Sequence, residues 1–345
     1  MVKVLVEISK PVLYYLIRRI IIYVIQVFVI LTIIFFLFRL MPGDPLTLYF
    51  LMMQQRYGYV ISGTSEIIAK YKEIFGLDKD LFTQYVCYMR ELILHGNLGV
   101  SFLSFPDPAQ KLILEALPWT IGLLGISTII SWIIGLIAGT LIGWYREKKT
   151  STFLFTLSLY MSQAPYYYFA ILLVLFFGYF LGVLPTGYAF SPGLTPSLNI
   201  AFLWDLIVHG FLPSLSIIVI SACGWIISTR SLVILILGED YLTFAEAKGL
   251  KKRRILNRYV LRNILLPQST GLGMSLGFIF SGSFLVEWIF RYPGIGSLFI
   301  KAINSLDYNT AFGIVIISSI AVLTANLIID LIYPFIDPRV TYTSS

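Results

Sequence analysis

The sequence predicts an all-α membrane protein with about six transmembrane helices. Hydrophobic residues make up 58% of the 345-residue chain, and charged residues make up only 12%. A soluble domain typically carries about 25% charged residues, so this chain cannot cover a surface that faces water. The third observation is a series of apolar runs of the length that crosses a bilayer, which is about 20 residues.

Six apolar runs follow one another along the chain, and each is a predicted span. The first ends at Arg39 and a Met-Pro-Gly-Asp-Pro sequence rather than at a small-residue cleavage site, so we interpret it as a retained helix and not as a signal peptide. The third contains Pro165, which predicts a kink or a break. The approximate bounds are 20–38, 117–145, 153–184, 211–237, 267–290 and 311–335.

These spans divide the chain into four parts. An N-terminal segment with the first span comes first, and a polar insertion follows. The third part holds the other five spans and a long polar loop at 238–266, and a short tail ends the chain. In the insertion, amphipathic patterns at 67–75 and 81–95 each stop at a glycine, which predicts two helix ends and a small structured unit. The bounds of the four parts are 1–41, 42–116, 117–335 and 336–345.

The positive charges predict the orientation of the spans. Lys and Arg are concentrated in the N-terminal segment and in the loops at 145–152 and 238–266, which all lie on one side of a six-span protein. The 185–210 loop on the other side has no Lys or Arg. Cytoplasmic loops carry the excess of positive charge, so both termini are expected in the cytoplasm of a multi-pass cell-membrane protein. The net charge of +7 therefore needs no nucleic acid partner.

Small residues recur every four positions in two of the spans. This spacing places them on one face of a helix, where another backbone can approach closely. We interpret these faces as helix packing within the chain; a pathway or a subunit contact that must slide is the alternative. The residues are Gly135, Gly139 and Gly143 in the second span and Gly273, Gly277 and Ser281 in the fifth.

The loop at 238–266 is more structured than a connector needs to be. Residues 240–248 predict a short helix with acids near its start and Lys248 near its end, which suits the helix dipole. Gly249 then permits a sharp turn, and a basic amphipathic helix follows. Anionic lipid would account for the arginines. The small side chains around Ala245 instead favour docking into a groove on another protein.

This loop resembles the cytoplasmic coupling loop of ABC importer permeases. An AxAKG turn at 245–249 is followed eighteen residues later by the proline of a Leu-Pro pair. That spacing is longer than in sugar permeases and is similar to that of the dipeptide/oligopeptide permeases. The long insertion resembles the first external loop of the first of the two permeases in such systems. Further stretches that resemble the family in order lie at 15–19, 39–45, 75–78, 84–85, 96–101, 287–296 and 330–339.

The resemblance implies the type I importer permease fold and a site that couples the chain to an ATPase within 240–262. Thr243 stands where the sugar-type loop has Glu, so no acidic contact is assigned to it. The chain has no G-x-x-x-x-G-K-[ST] phosphate loop, so we expect it to be a transport subunit and not an enzyme. The residues that the resemblance assigns to coupling are Ala245, Glu246, Ala247, Lys248, Gly249, Leu250 and Arg253.

The resemblance also implies partners. They are a second permease that forms a heterodimer with this chain, two ATPase subunits that bind ATP and Mg, an extracellular substrate-binding protein, and membrane lipid. No cofactor is expected in this chain itself. Its two cysteines and two histidines form no metal-binding pattern.

Three residues are candidates for the substrate pathway. Glu287 is an ionisable residue in a predicted span, which is a functional hypothesis by default, although a hydrogen bond to the neighbouring external loop is an equal alternative. Gln163 could face the pathway or satisfy carbonyls freed by the break at Pro165. Ser281 lies on the small-residue face of the fifth span.

The resemblance suggests short peptides as substrates, carried inward. The same type of permease also serves oligosaccharides, which stay an alternative, and the Ile- and Tyr-rich composition hints at a thermophilic prokaryote. A secondary transporter would often show two similar halves with interrupted helices, and no such repeat is visible. An intramembrane enzyme would need paired acids, a metal cluster or a Ser/His set in its spans, and none is convincing.

Overall fold

The computed structural model describes residues 10–40, 79–197, 199–279 and 283–336 and the single positions 47, 54 and 66. The regular structure in this part of the chain is helical, apart from an isolated β-bridge between Val100 and Pro108. The helices in chain order are α1 Lys10–Arg39, α2 Leu81–His95, α3 Ala109–Trp144, α4 Lys149–Ser162, α5 Tyr166–Leu173, α6 Ile200–Leu237, α7 Asp240–Ala247, α8 Lys252–Ile255, α9 Leu261–Phe278, α10 Phe284–Ile289, α11 Ile295–Asn304 and α12 Tyr308–Ile336. Two π-helical segments, Val174–Phe180 and Leu256–Val260, extend α5 and join α8 to α9.

The all-α membrane class is confirmed. Among the described residues, α1, α3, α6 and α12 are long and apolar enough to cross a membrane. The pair of α4 with α5 and its π-helical extension makes a fifth candidate, bent by 98°. The bend confirms the break predicted at Pro165, which precedes α5 with extended backbone and has no N–H to continue the hydrogen bonds of α4.

The fifth predicted span differs from the prediction. We expected one helix over 267–290, but α9 already starts at Leu261 and ends at Phe278, and α10 starts only at Phe284. The segment between Gln268 and Ser283 is rich in Gly, Ser and Thr. These residues weaken the interior of a helix. Glycine loses the most conformational entropy when its backbone is fixed, and the Ser and Thr hydroxyls compete for backbone hydrogen bonds.

Two other helices start earlier than predicted. We expected the spans to begin near 117 and 211, whereas α3 starts at Ala109 and α6 at Ile200. The Asn199 side chain accepts a hydrogen bond from the Phe202 N–H (2.7 Å) and so caps α6. Asp205 lies in the stretch predicted as a loop; its carboxylate accepts from the N–H and hydroxyl of Ser191 (2.6 and 2.7 Å) while its backbone stays helical.

The packing of α3 against α6 confirms the interpretation of the glycine face in the second span. A Cβ added at Gly139 would lie 2.6 Å from the Thr229 Cβ, and one at Gly143 would lie 2.8 Å from the Val233 Cβ. A Cβ added at Gly135 would likewise clash with the Cβ of Trp225. These residues of α3 therefore serve helix packing within the chain.

The polar insertion contains the second of its two predicted helices. Asp80 caps α2 by accepting from the Thr83 N–H (3.0 Å), and Gly96 ends it in the left-handed conformation at φ 62°. The pattern at 67–75 lies outside the described residues, as do the motifs at 41–45, 75–78 and 337–339.

Candidate coupling site and substrate pathway

Helix α7 ends in a turn that only a few residue types can form. The Gly249 N–H donates to the Glu246 carbonyl (2.8 Å), and the Leu250 N–H donates to the Ala245 carbonyl (3.3 Å). This pair of hydrogen bonds is the Schellman motif, which requires a left-handed residue after the helix. Gly249 supplies it with φ 73°. The helix and the turn predicted from the sequence are thereby confirmed as structure.

One face of α7 is buried in the protein. Leu242 and Ala245 are three residues apart and so share a face, and Ala245 is only 3% exposed. They belong to an apolar cluster at the end of the helix bundle, whose other buried members are Leu136 of α3, Val233 of α6, and Ile255, Val260 and Ile264. Ala245 therefore contacts the chain's own core and not an outside surface.

The other face of α7 is exposed and contains an aromatic residue that the sequence interpretation passed over. The Phe244 side chain is 67% exposed and is flanked by Thr243, Ala247 and Lys248, which are exposed as well. The sequence held a signal for this exposed position. Leu242 and Ala245 share the buried face of a helix, so Phe244 between them points away from that face.

The segment after the turn is the basic amphipathic helix that the sequence predicts. Its buried side chains hold it to the bundle, and its cations face outward; the exposed cations are Lys251, Lys252, Arg253, Arg254, Arg258 and Arg262. The Asn263 amide donates to the Tyr241 hydroxyl (3.1 Å) and the Tyr259 carbonyl (2.6 Å), which ties α7 to α9. Partial burial, with a smaller effect of Glu239, raises the pKa of Tyr241 above its ordinary value, and the hydrogen bond from Asn263 acts in the opposite direction.

A cation, Arg230, lies inside α6, two turns before the end of that helix. The Arg230 guanidinium carbon is 3.8 Å from the centroid of the Phe155 ring on α4. Such a cation–π contact is worth about 0.5–2 kcal/mol. It links the helix that carries α7 to α4, the first half of the bent span.

Glu287 is completely buried, at 0% exposure, between three helices. Its carboxylate accepts from the Thr120 hydroxyl of α3 (3.0 Å) and from the Gly296 N–H of α11 (2.7 Å). Thr120 in turn accepts from the Ile295 N–H (2.8 Å). This geometry favours the alternative in which Glu287 fixes the neighbouring loop, and a role in the pathway stays a prediction.

Of the other two predicted pathway residues, the structure describes Gln163. Gln163 is exposed at the end of α4, beside the break at Pro165. Next to it, the rings of Tyr167 and Tyr168 are 4.4 Å apart. Ser281 lies outside the described residues.

A second buried acid, Asp307, was not singled out from the sequence. Its carboxylate accepts from the Thr310 N–H (3.1 Å), the Thr310 hydroxyl (2.7 Å) and the Leu103 N–H (3.1 Å), and also from the Ser101 hydroxyl. It thus caps α12 and fastens the insertion to it. The contact joins residues about two hundred positions apart, so no local pattern could reveal it.

Comparison with known proteins assigns this architecture to a family. Residues 131–342 match the family model described as "binding-protein-dependent transport system inner membrane component", and residues 12–123 match the model of its N-terminal region. More than half of the 345-residue chain therefore falls within one family model.

Three relatives extend over nearly the whole chain. The oligopeptide transport system permease protein AppB of Bacillus subtilis (strain 168) is 32% identical over 89% of this chain and 93% of its own length. OppB of Haemophilus influenzae, which has the same description, is 30% identical over 91% and 95%. The glutathione transport system permease protein GsiC of Escherichia coli (strain K12) is 27% identical over 95% and 99%.

The family is a membrane component of transport systems, which confirms the predicted resemblance, the permease fold and the assignment to transport rather than to enzymes. The chain belongs to the family of binding-protein-dependent transport system inner membrane components, as a multi-pass permease subunit of an ABC importer.

Proposed function

We propose that this chain is the first of two permease subunits of an ABC importer that moves short peptides inward. The relatives named above are permeases for oligopeptides and glutathione, and this supports peptides over oligosaccharides as the substrate class. The observation that carries the proposal is the α7 turn, which presents an exposed face on a helix anchored in the bundle.

Docking of an ATPase on that face would be transmitted through the buried face of α7. Leu242 and Ala245 pack on the ends of α3 and α6, so α7 cannot shift without moving these spans. Arg230 extends the contact to α4. Of the residues assigned to coupling, we propose that Glu246, Ala247, Lys248 and Arg253 meet the ATPase, while Ala245, Gly249 and Leu250 shape the turn that presents them. Phe244 joins the docking face.

The proposed complex contains a second, different permease, two ATPase subunits and an extracellular binding protein. ATP and Mg bind to the ATPases, and ATP binding would favour one of two pre-existing arrangements of the spans. Both termini and α7 lie in the cytoplasm of a prokaryotic cell, as the distribution of Lys and Arg supports.

Within the pathway, we propose that Gln163 and Ser281 face the substrate. The role of Gln163 is supported by its exposed position at the break between α4 and α5. We propose that Glu287 acts indirectly, because its carboxylate holds the start of α11 against α3.

Affinity purification of the tagged chain from native membranes, with mild crosslinking and mass spectrometry, tests the proposed assembly. We expect a second permease, two ATPases and an extracellular binding protein. A matched purification of the Phe244→Asp variant should lose the ATPases and keep the second permease. Recovery of the wild-type chain alone, after crosslinking, would contradict the importer assembly.

A further inference from the structure

Helix α2 and the residues that follow it lie across the ends of the long helices α1, α3 and α12. Near its start, Gln84 accepts a hydrogen bond from Arg39, the last residue of α1. Beyond its other end, Leu98 packs so closely on Gly313 of α12 that an added Cβ would lie 3.0 Å from its side chain and 2.9 Å from Ile113 of α3. Gly313 and Ile113 are both near the first residue of their helices. The axis of α2 therefore lies at the level where α1 ends and where α3 and α12 begin.

The side chains on the inner face of α2 reach below that level. The Tyr85 hydroxyl hydrogen-bonds to Thr32 (2.8 Å), which lies seven residues before Arg39, or about 10 Å deeper along α1. The Tyr85 ring stacks on Phe36 with centroids 5.6 Å apart. The Tyr88 ring lies 5.0 Å from that of Phe312. Helix α2 thus packs through its side chains against the terminal turns of α1 and α12.

One flank of α2 is apolar and uncovered. Phe82, Val86 and Ile93 fall within about 40° of one another around the helix. Phe82 is 70% exposed and Ile93 is 66% exposed. The opposite flank carries the polar Glu91 and His95, so α2 has a water-facing side and an apolar side, with the buried face between them.

We propose that α2 is an interfacial helix whose Phe82, Val86 and Ile93 flank inserts into the lipid leaflet at the membrane face where α1 ends. By the predicted orientation, this is the outer leaflet.

The reason for choosing lipid is the surface beside α2. Ile33 and Leu37 of α1 are exposed as well, and they lie inside a membrane span. Lipid that covers these two residues would reach α2, because the neighbouring Thr32 and Phe36 contact Tyr85. Arg90 is exposed at the edge of the flank, where its guanidinium can reach lipid phosphates while its stem stays against apolar surface. This is the distribution of side chains expected of an interfacial helix.

Spin labels on the complete transporter in lipid nanodiscs test the proposal. Labels replace Phe82, Val86 or Ile93 on the flank and Glu91 or His95 on the opposite side as matched controls, in a Cys87→Ser, Cys223→Ser chain. Only variants with wild-type stimulated ATPase activity are compared. Collisions with oxygen, which dissolves in lipid, and with a water-soluble nickel chelate are measured.

We expect the ratio of oxygen to nickel collisions to be several-fold higher at 82, 86 and 93 than at 91 and 95. A ratio at 93 equal to that at 91 would place the flank in water, and shielding from both reagents would place it against a protein partner. Either result overturns the proposal.

A second measurement leaves the protein unaltered. Lipids with a photoactivatable group in the acyl chain should form adducts on the peptide that contains 81–95, at a yield like that of α1. A peptide without adducts, in a complex whose α1 is labelled, would also overturn the proposal, while the importer function would be unaffected.

Discussion

At the level of single residues, Gly249 carries the sharpest constraint in the loop between α6 and α9. Its φ of 73° costs a residue with a side chain about 1–2 kcal/mol. No atom lies within 4 Å of an added Cβ, so the constraint is one of backbone conformation and not of space. The direction in which the chain leaves α7 therefore depends on this glycine.

A Gly249→Val substitution should lower the ATPase activity stimulated by the binding protein several-fold, because the turn that presents the docking face is distorted. Gly182→Val is the matched control: its φ is 63° and its surroundings are open as well, but it lies at the end of the α5 extension. Assays in proteoliposomes measure both. Equal loss in the two variants would show that backbone strain, and not coupling, is responsible.

Glu287 acts through the hydrogen bonds it accepts. Glu287→Ala should leave the Gly296 N–H buried without its acceptor, which costs about 1–3 kcal/mol, and the complex should lose thermal stability. Glu287→Gln should lose less, because its amide oxygen can accept from Gly296 while its amide nitrogen donates to Thr120. Thermal inactivation and peptide uptake are measured side by side. If Glu287→Ala has wild-type stability but no uptake, Glu287 belongs to the pathway.

At the level of elements, α7 has two faces with separate tasks. Its inner face belongs to the core, and its outer face presents Phe244. Substitutions on the two faces should therefore impair different properties of the protein. Substitutions on the inner face should destabilise the helix bundle, while substitutions on the outer face should leave the chain folded and weaken its binding to the ATPase.

Phe244→Ala should therefore reduce the ATPase recovered with the chain by at least several-fold while the chain still assembles with its permease partner. Phe153→Ala is the control, since Phe153 is also 67% exposed but lies on α4. Quantitative pull-down of the detergent-solubilised complex measures this. Full ATPase recovery with Phe244→Ala would remove Phe244 from the docking face.

The close approach of α3 and α6 gives a second prediction at this level. Gly139→Val should destabilise the chain by about 1–3 kcal/mol through overpacking, because an added Cβ would already lie 2.6 Å from the Thr229 Cβ. Gly122→Val, on the same helix, meets nothing within 4 Å and should be tolerated. Thermal unfolding followed by size-exclusion chromatography compares them, and similar unfolding temperatures would contradict the packing.

At the level of the whole molecule, features with a local cause were predictable from the sequence. The break at Pro165, the α7 turn at Gly249 and the end of α2 at Gly96 each follow from one residue with a strong backbone preference. The early start of α6 was missed, because the polar Asp205 lies within it and only the fold shows that Ser191 of the preceding loop satisfies its carboxylate, although Asn199 offers a local cap. The bonds of Asp307 were not predictable, because they depend on contacts that only the fold creates.

The whole architecture also connects the two ends of the molecule that act in the proposed transport cycle. The ATPases would act at α7, on one face of the membrane, while Glu287 and Asp307 fasten α11 and the insertion at the other end of the helices. The α3–α6 pair connects the two ends, which lets a shift at α7 reach the far side.

The measurement that tests the central claim most directly is uptake of a labelled short peptide into proteoliposomes that contain both permeases, both ATPases and the binding protein. We predict uptake that requires ATP and the binding protein, that unlabelled oligopeptides inhibit and that oligosaccharides do not, and that Phe244→Asp abolishes. Uptake driven by an ion gradient without ATP, or inhibited by oligosaccharides and not by peptides, would contradict the account.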